Sequence, residues 1–146
     1  MVVEVERTFE IGVSVEEIWT LIADPAVRAA AISVVTAYEV ENGRATWHLK
    51  LPIPFVRQTA TVRTRDIERD PPRYVRFRGD ASVMRVTGEH ELSPTDRGCR
   101  VRNRFVVEGR VPGVESFFKR NIDGEIENLR RELISRLDAD SEGHRT

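Results

Sequence analysis

GRVPGVESFF, residues 109–118, marks the point where a chain that has alternated with a period of two for about sixty residues changes to a period near four. Downstream, Val111, Val114, Phe118, Ile122, Ile126, Leu129, Leu133 and Leu137 recur every three or four positions. That spacing draws one apolar stripe along a helix of about twenty-five residues. So long a stripe needs an apolar surface of matching length, and only the strands before it offer one.

Working outward, VVEVERTFEI alternates, with Val3, Val5, Phe9 and Ile11 on one side and Glu4, Glu6, Thr8 and Glu10 on the other, which predicts a strand with one wet face. Ser14 followed by Glu17 is a capping-box pattern and starts a short helix that ends near Asp24-Pro25. A second short helix covers AVRAAAI. The period of two returns from Val34, and Asn42-Gly43 supplies the positive φ angles of a hairpin turn before a strand from Arg44 to about Leu51. Pro52 and Pro54 interrupt LPIPFV, which reads as a loop. Strands resume at about Gln58 to Glu68, Tyr74 to Ala81, Ser82 to Leu92 and Arg100 to Glu108, with the turns DPPR, GD and SPTDRG between them. Short turns between successive strands predict an antiparallel meander.

Strand parity separates two faces. Trp47, Leu49, Ala60, Val62, Val75, Phe77, Met84, Val86, Val101, Phe105 and Val107 share the inner one; Arg63, Arg65, Arg76, Arg78, Arg85, Arg100, Arg102 and Arg104 share the outer. Glu68, Glu89, Glu91 and Glu108 have the same outward parity as these arginines, so cross-strand pairing would quench a basic stripe, and no aromatics are interleaved to grip bases. With 23 Lys and Arg against 24 Asp and Glu, the net charge of −1 gives no reason to expect a nucleic-acid partner or an anionic membrane.

The 146 residues suit one domain, expected over 1–138, with a disordered C-terminal tail over 139–146. Cys99 is the single cysteine, which excludes an internal disulfide, and EVERTFE contains no apolar run of signal or spanning length, so a cytoplasmic protein is expected. His48, His90, His144 and Cys99 form no set with metal-ligand spacing, and Gly109, Gly113 and Gly124 are too scattered for a phosphate loop. Neither a metal nor a cofactor is expected.

The order strand, two short helices, six strands, long helix resembles the helix-grip fold of the START-like superfamily, also called Bet v 1-like or SRPBCC. This is an α+β architecture in which a curved antiparallel sheet wraps around a long C-terminal helix, with two short helices after the first strand. FEIGVSVEEIWTLIADP matches the opening strand and helix, IERDPPRYVRFRG the central hairpin and GRVPGVESFF the start of the last helix. Within the superfamily the chain is similar to the polyketide cyclase-like branch and to the branch associated with carbon monoxide dehydrogenase. The resemblance implies a cavity between helix and sheet, used by different members for hydrophobic ligands, for ring closure of polyketides or for holding partners. The dehydrogenase-associated members are linked with attaching an enzyme to the membrane, but DADSEGHRT is no hydrophobic tail, and stable membrane insertion is not expected.

On this chain the cavity wall falls on Trp47, Leu49, Val62, Phe77, Met84, Val86 and Phe105 from the sheet, faced by Phe117, Phe118, Ile122 and Ile126 from the helix. The same pattern serves a filled core equally well. Polar residues of inward parity say more, because a buried donor or acceptor costs roughly 1–3 kcal/mol unless paired. His90 shares parity with Met84 and Val86, and Asn103 lies between Val101 and Phe105. In the cavity, His90 would be a general base or ligand donor and Asn103 would orient a carbonyl. Alternatively they pair with each other or with backbone, or are exposed at the end of the sheet. Arg7, also of inward parity, either meets an acidic ligand or reaches solvent from an edge strand. Ile53 and Phe55, presented by two prolines, form a lid over the cavity, fold back onto the core, dip into a membrane interface or dock on a partner, the lid being the reading preferred.

The expected function is binding or transport of a small hydrophobic, lipid-like or polyketide-like molecule, by a monomer or by a homodimer paired through an edge strand. The alternatives are a cyclase or dehydratase-type enzyme using His90 and Asn103, and a protein-interaction module with a filled core. Whether the chain is an enzyme stays open at this point.

Overall fold

The alternating segments assemble into one antiparallel sheet and the four-residue stripe into one helix laid across it. A computed structural model describes residues 2–54 and 59–144, with side chains through 138. The elements are β1 (Val2–Ile11), α1 (Val15–Ile22), α2 (Pro25–Ala30), β2 (Val35–Glu41), β3 (Arg44–Leu49), β4 (Ala60–Asp70), β5 (Tyr74–Asp80), β6 (Met84–Thr95), β7 (Gly98–Gly109) and α3 (Val114–His144). The sheet has seven strands in the order β1-β7-β6-β5-β4-β3-β2, a meander whose last strand pairs with the first. This is the helix-grip arrangement expected from the resemblance.

The local signals act as read. Ser14 Oγ accepts from Glu17 N at 3.2 Å and starts α1, while Asp24 caps α2 with Pro25 in its first turn. Asn42 (φ 52°) and Gly43 (φ 75°) turn β2 into β3. Differences lie at element ends. β6 and β7 extend to Thr95 and from Gly98, so their hairpin is tighter than expected, and α3 continues as helix to His144, past the boundary drawn at 138. That boundary followed the end of the apolar stripe, but a helix backbone needs no apolar side chain to continue.

Most of the stripe is buried as its period requires: Val114 and Leu133 are fully inaccessible and Ile122, Ile126 and Leu129 nearly so, while Val111, Phe118 and Leu137 are half-buried and Phe117, outside the stripe, is buried beside Phe118. Each buried side chain contributes about 1.5–3 kcal/mol relative to exposure. α3 packs on β1, β7, α1 and α2. The apolar core divides into two clusters, one around Trp47, Phe77 and Phe117, the other around Ile18, Leu92 and Leu133.

Outward arginines pair across strands: Arg102 with Glu6 (2.6 Å) and Glu91 (3.5 Å), Arg104 with Glu4 and Glu89, Arg85 with Asp80 (2.8 Å) and Arg76 with Glu68 (3.7 Å). Most of that charge is therefore met within the face. Arg7 reaches out from β1 to Asp123 on α3 at 2.6 Å and joins the sheet edge to the helix. Of the proline loop, Leu51 and Ile53 are buried in the first core cluster, with Ile53 beneath Gly113 at the start of α3; Phe55 lies outside the described residues. Cys99 is fully buried in the second cluster. No helix among the described residues is long and apolar enough to cross a membrane.

Candidate functional site

Between the concave face of the sheet and α3 is a cavity of about 70 Å³, within about 720 Å³ of space between atoms that runs out to its mouth. The smaller volume governs what enters without movement. At roughly 10–15 Å³ for each water it corresponds to a few waters or one small compact molecule, and anything longer must part α3 from the sheet.

Of the residues expected in the wall, Trp47, Leu49, Phe77, Met84, Val86, His90, Phe105, Phe118, Ile122 and Ile126 line this space. Val62 and Phe117 are buried but do not reach it, and Ile53 packs elsewhere. Asn103 is not in the lining and sits behind His90. The second short helix and the loop after it supply Arg28, Ala31, Ile32 and Val34, which strand parity does not reveal; Val107, Glu125 and Leu129 complete the wall. Glu125 also ties α3 across the mouth by accepting from Ser33 N at 2.9 Å and from the Ser33 hydroxyl.

His90 is 2% exposed, and its Nδ1 lies 2.7 Å from Asn103 Oδ1. The proton can be placed by following donors. Asn103 Nδ2 faces two carbonyls, those of Arg7 (3.2 Å) and Val101 (3.3 Å), which only accept; the amide nitrogen therefore points at them and Oδ1 points at the imidazole. Nδ1 must then carry the hydrogen, and Nε2 keeps its lone pair. Burial pulls the imidazole pKa down from 6.5 to about 4, the charge of Arg28 adds to this, and the Asn103 hydrogen bond opposes it. At neutral pH His90 is an uncharged base of fixed tautomer. The two residues satisfy each other, and of the two only His90 faces the cavity.

Arg28 is the residue that sequence reading passed over. It is 5% exposed, and its Nη2 donates to Asp66 Oδ1 at 2.6 Å. Its Cζ stands 5.0 Å over the Phe77 ring, and its Nη1 meets no acceptor among the described residues. Burial lowers its pKa, with Asp66 opposing. A signal for this pair existed in the sequence: Asp66 continues the inward row Val62, Thr64, Asp66 of β4, and an inward carboxylate calls for a cation. Trp47 packs edge-on to Phe77 at 5.7 Å, and its indole N–H is likewise buried without an acceptor among the described residues. Among the described residues no cluster of His, Cys, Asp and Glu could hold a metal ion.

Gly88 of β6 makes room for the two rings that shape this wall. A Cβ there would stand 2.5 Å from Phe77 Cζ and 3.0 Å from Phe105 Cε1, so the rings would have to swing into the cavity. Gly88→Ala is expected to lower stability by about 1–3 kcal/mol and to shrink the cavity. Thermal unfolding and xenon uptake check both, and unchanged uptake would contradict the geometry.

Residues 2–133 match the family model described as polyketide cyclase / dehydrase and lipid transport. No curated protein matches the sequence. Similar solved structures include a conserved protein from Geobacillus kaustophilus, 16% identical with a TM-score of 0.71, covering 94% of this chain and 96% of that one. The Zhui aromatase/cyclase from Streptomyces sp. R1128 is 16% identical with a TM-score of 0.70 and the same two coverages. A START superfamily protein from Mycobacterium smegmatis is 13% identical with a TM-score of 0.71, covering 93% of this chain and 97% of that one. At these identities the likeness is one of fold.

Proposed function

We propose, from the premise that this chain belongs to the polyketide cyclase / dehydrase and lipid transport family, that it binds and carries a small hydrophobic, lipid-like or polyketide-like molecule between its sheet and α3. The observation that carries the reading is the cavity itself: about 70 Å³ enclosed by apolar side chains from both core clusters, in a place where close packing would be the default. An interaction module working through its surface has no use for such a space. Pairing of the outward arginines with carboxylates supports a reading without nucleic acid. A cytoplasmic location and action as a monomer or homodimer belong to the same reading.

One observation favours a second reading. An uncharged His90 with its tautomer fixed by Asn103 is equipped to take a proton from a bound substrate, as a cyclase or dehydratase requires.

Native mass spectrometry of protein purified from its own source separates the two. A carrier retains the same small molecule in the wild type and in His90→Gln, and Val86→Phe, which fills the cavity, retains none. An enzyme instead accumulates in His90→Gln a precursor heavier than the wild-type occupant by one water. Failure of both the wild type and His90→Gln to retain or take up any apolar molecule would remove both readings.

A further inference from the structure

Apart from Glu125 at its mouth, the cavity wall is polar only at one end, where three groups surround the ring of Phe77. Arg28 lies over that ring at 5.0 Å, His90 stacks beside it at 6.1 Å, and Trp47 meets its edge at 5.7 Å. Two hold a buried donor that meets no acceptor among the described residues, Arg28 Nη1 and Trp47 Nε1, and His90, whose Nδ1 is engaged by Asn103, keeps a lone pair at Nε2. Buried polar atoms are ordinarily partnered, so two orphan donors and one unengaged acceptor on residues that line the same cavity describe what is to be bound there.

We infer that the ligand is an uncharged, compact hydroxy-carbonyl compound, whose carbonyl oxygen accepts from Arg28 and Trp47 and whose hydroxyl donates to His90. The inference rests on the ligand-binding reading above. Neutrality follows from charge. The Arg28 guanidinium is already met by Asp66 at 2.6 Å, and the imidazole carries no charge. A carboxylate brought into this space would be a buried anion facing a cation whose charge is already balanced, whereas a carbonyl uses the free N–H and adds no charge. The hydroxyl is required because His90 Nε2 can only accept.

The test is calorimetric titration of the purified full chain, at pH 7.5, with five probes of one shape: 4-hydroxyacetophenone, 4-isopropylphenol lacking the carbonyl, 4-methylacetophenone lacking the hydroxyl, 4-isopropyltoluene lacking both, and 4-hydroxybenzoate bearing a carboxylate. 4-Hydroxyacetophenone is expected to bind about tenfold or more tightly than either probe with one polar group, since each supplies a partner to an otherwise unpaired buried atom. Its complex should also shift the Trp47 indole N–H resonance downfield. Arg28→Met/Asp66→Leu removes the charge pair together, so it folds without an orphan carboxylate, and should reduce the preference for 4-hydroxyacetophenone over 4-isopropylphenol only, to what the Trp47 N–H alone supplies. His90→Phe/Asn103→Val should erase the preference over 4-methylacetophenone only. Equal affinity for the four neutral probes would overturn the inference and leave an unspecific apolar pocket. Tightest binding by 4-hydroxybenzoate would overturn the neutral class. Binding by none would overturn the inference and the carrier reading together.

Discussion

Arg28→Met is expected to destabilise the fold by about 3–5 kcal/mol, because it strips the partner from a carboxylate that cannot return to water. Asp66 is 9% exposed, and the other cation beside it among the described residues, Arg69, stands 3.6 Å away and is itself 44% exposed. Arg69 offsets part of the loss, so the lower end of the range applies. Against a total stability of about 5–15 kcal/mol, this removes roughly a fifth to three fifths of it. Arg28→Met/Asp66→Leu should recover most of it, since replacing a buried pair with apolar groups of similar volume is commonly neutral or favourable. The exposed Arg7–Asp123 pair is the internal comparison: its side chains are 48% and 74% accessible, and Arg7→Ala should change stability by less than about 1 kcal/mol. Urea titration of the four proteins decides the matter. A single variant as stable as the double would show that Asp66 had found water or protonation, and that the pair is not buried as described. A stable double variant has a further meaning: the ion pair is then dispensable for folding, although Arg28 lines the cavity.

How far such features are legible in the sequence depends on whether a period reports them. Strand alternation and the α3 stripe place most of the cavity and core positions correctly because each element is long enough for one face to declare itself. His90 and Asn103 emerged the same way, as polar breaks in an inward apolar row that the structure shows to be buried and bonded to each other. Arg28 breaks no periodic row of its own; only the inward carboxylate of Asp66 points to a cation, without saying which. α2 has six residues, fewer than two turns, so no face is defined, and its partner Asp66 stands 38 residues away on another element. The cavity is hidden for a different reason. Its 70 Å³ is the small difference between the space enclosed by the sheet and helix and the volume of the side chains that enter it, and that difference leaves no trace in spacing. Ile53 shows a third limit: two prolines identify a loop but not whether its apolar residue turns outward or, as it does, under the start of α3.

The stability of this protein should fall by about 3 kcal/mol between pH 6.5 and pH 4 on account of His90 alone, a figure that follows from a native pKa of about 4 against 6.5 when unfolded and 1.36 kcal/mol for each unit. The sign is fixed by which state holds the proton. Inside this window the unfolded imidazole is protonated and the native one is not, so acid draws the chain toward the unfolded state. The contribution is complete above pH 6.5, is lost progressively on acidification, and is gone below pH 4. The charged groups packed around the ring preserve that direction: Arg28 remains a cation throughout and repels an imidazolium, and Asn103 is neutral. Carboxylates elsewhere also titrate here, so the decisive quantity is the difference between the wild type and His90→Gln, whose amide still donates to Asn103 Oδ1 but takes up no proton. The gap between their urea stabilities should shift by about 3 kcal/mol in favour of the variant from pH 7.5 to pH 4. Parallel curves would mean that the native imidazole takes up its proton near pH 6.5, as the unfolded one does, and that burial beside Arg28 does not hold it uncharged.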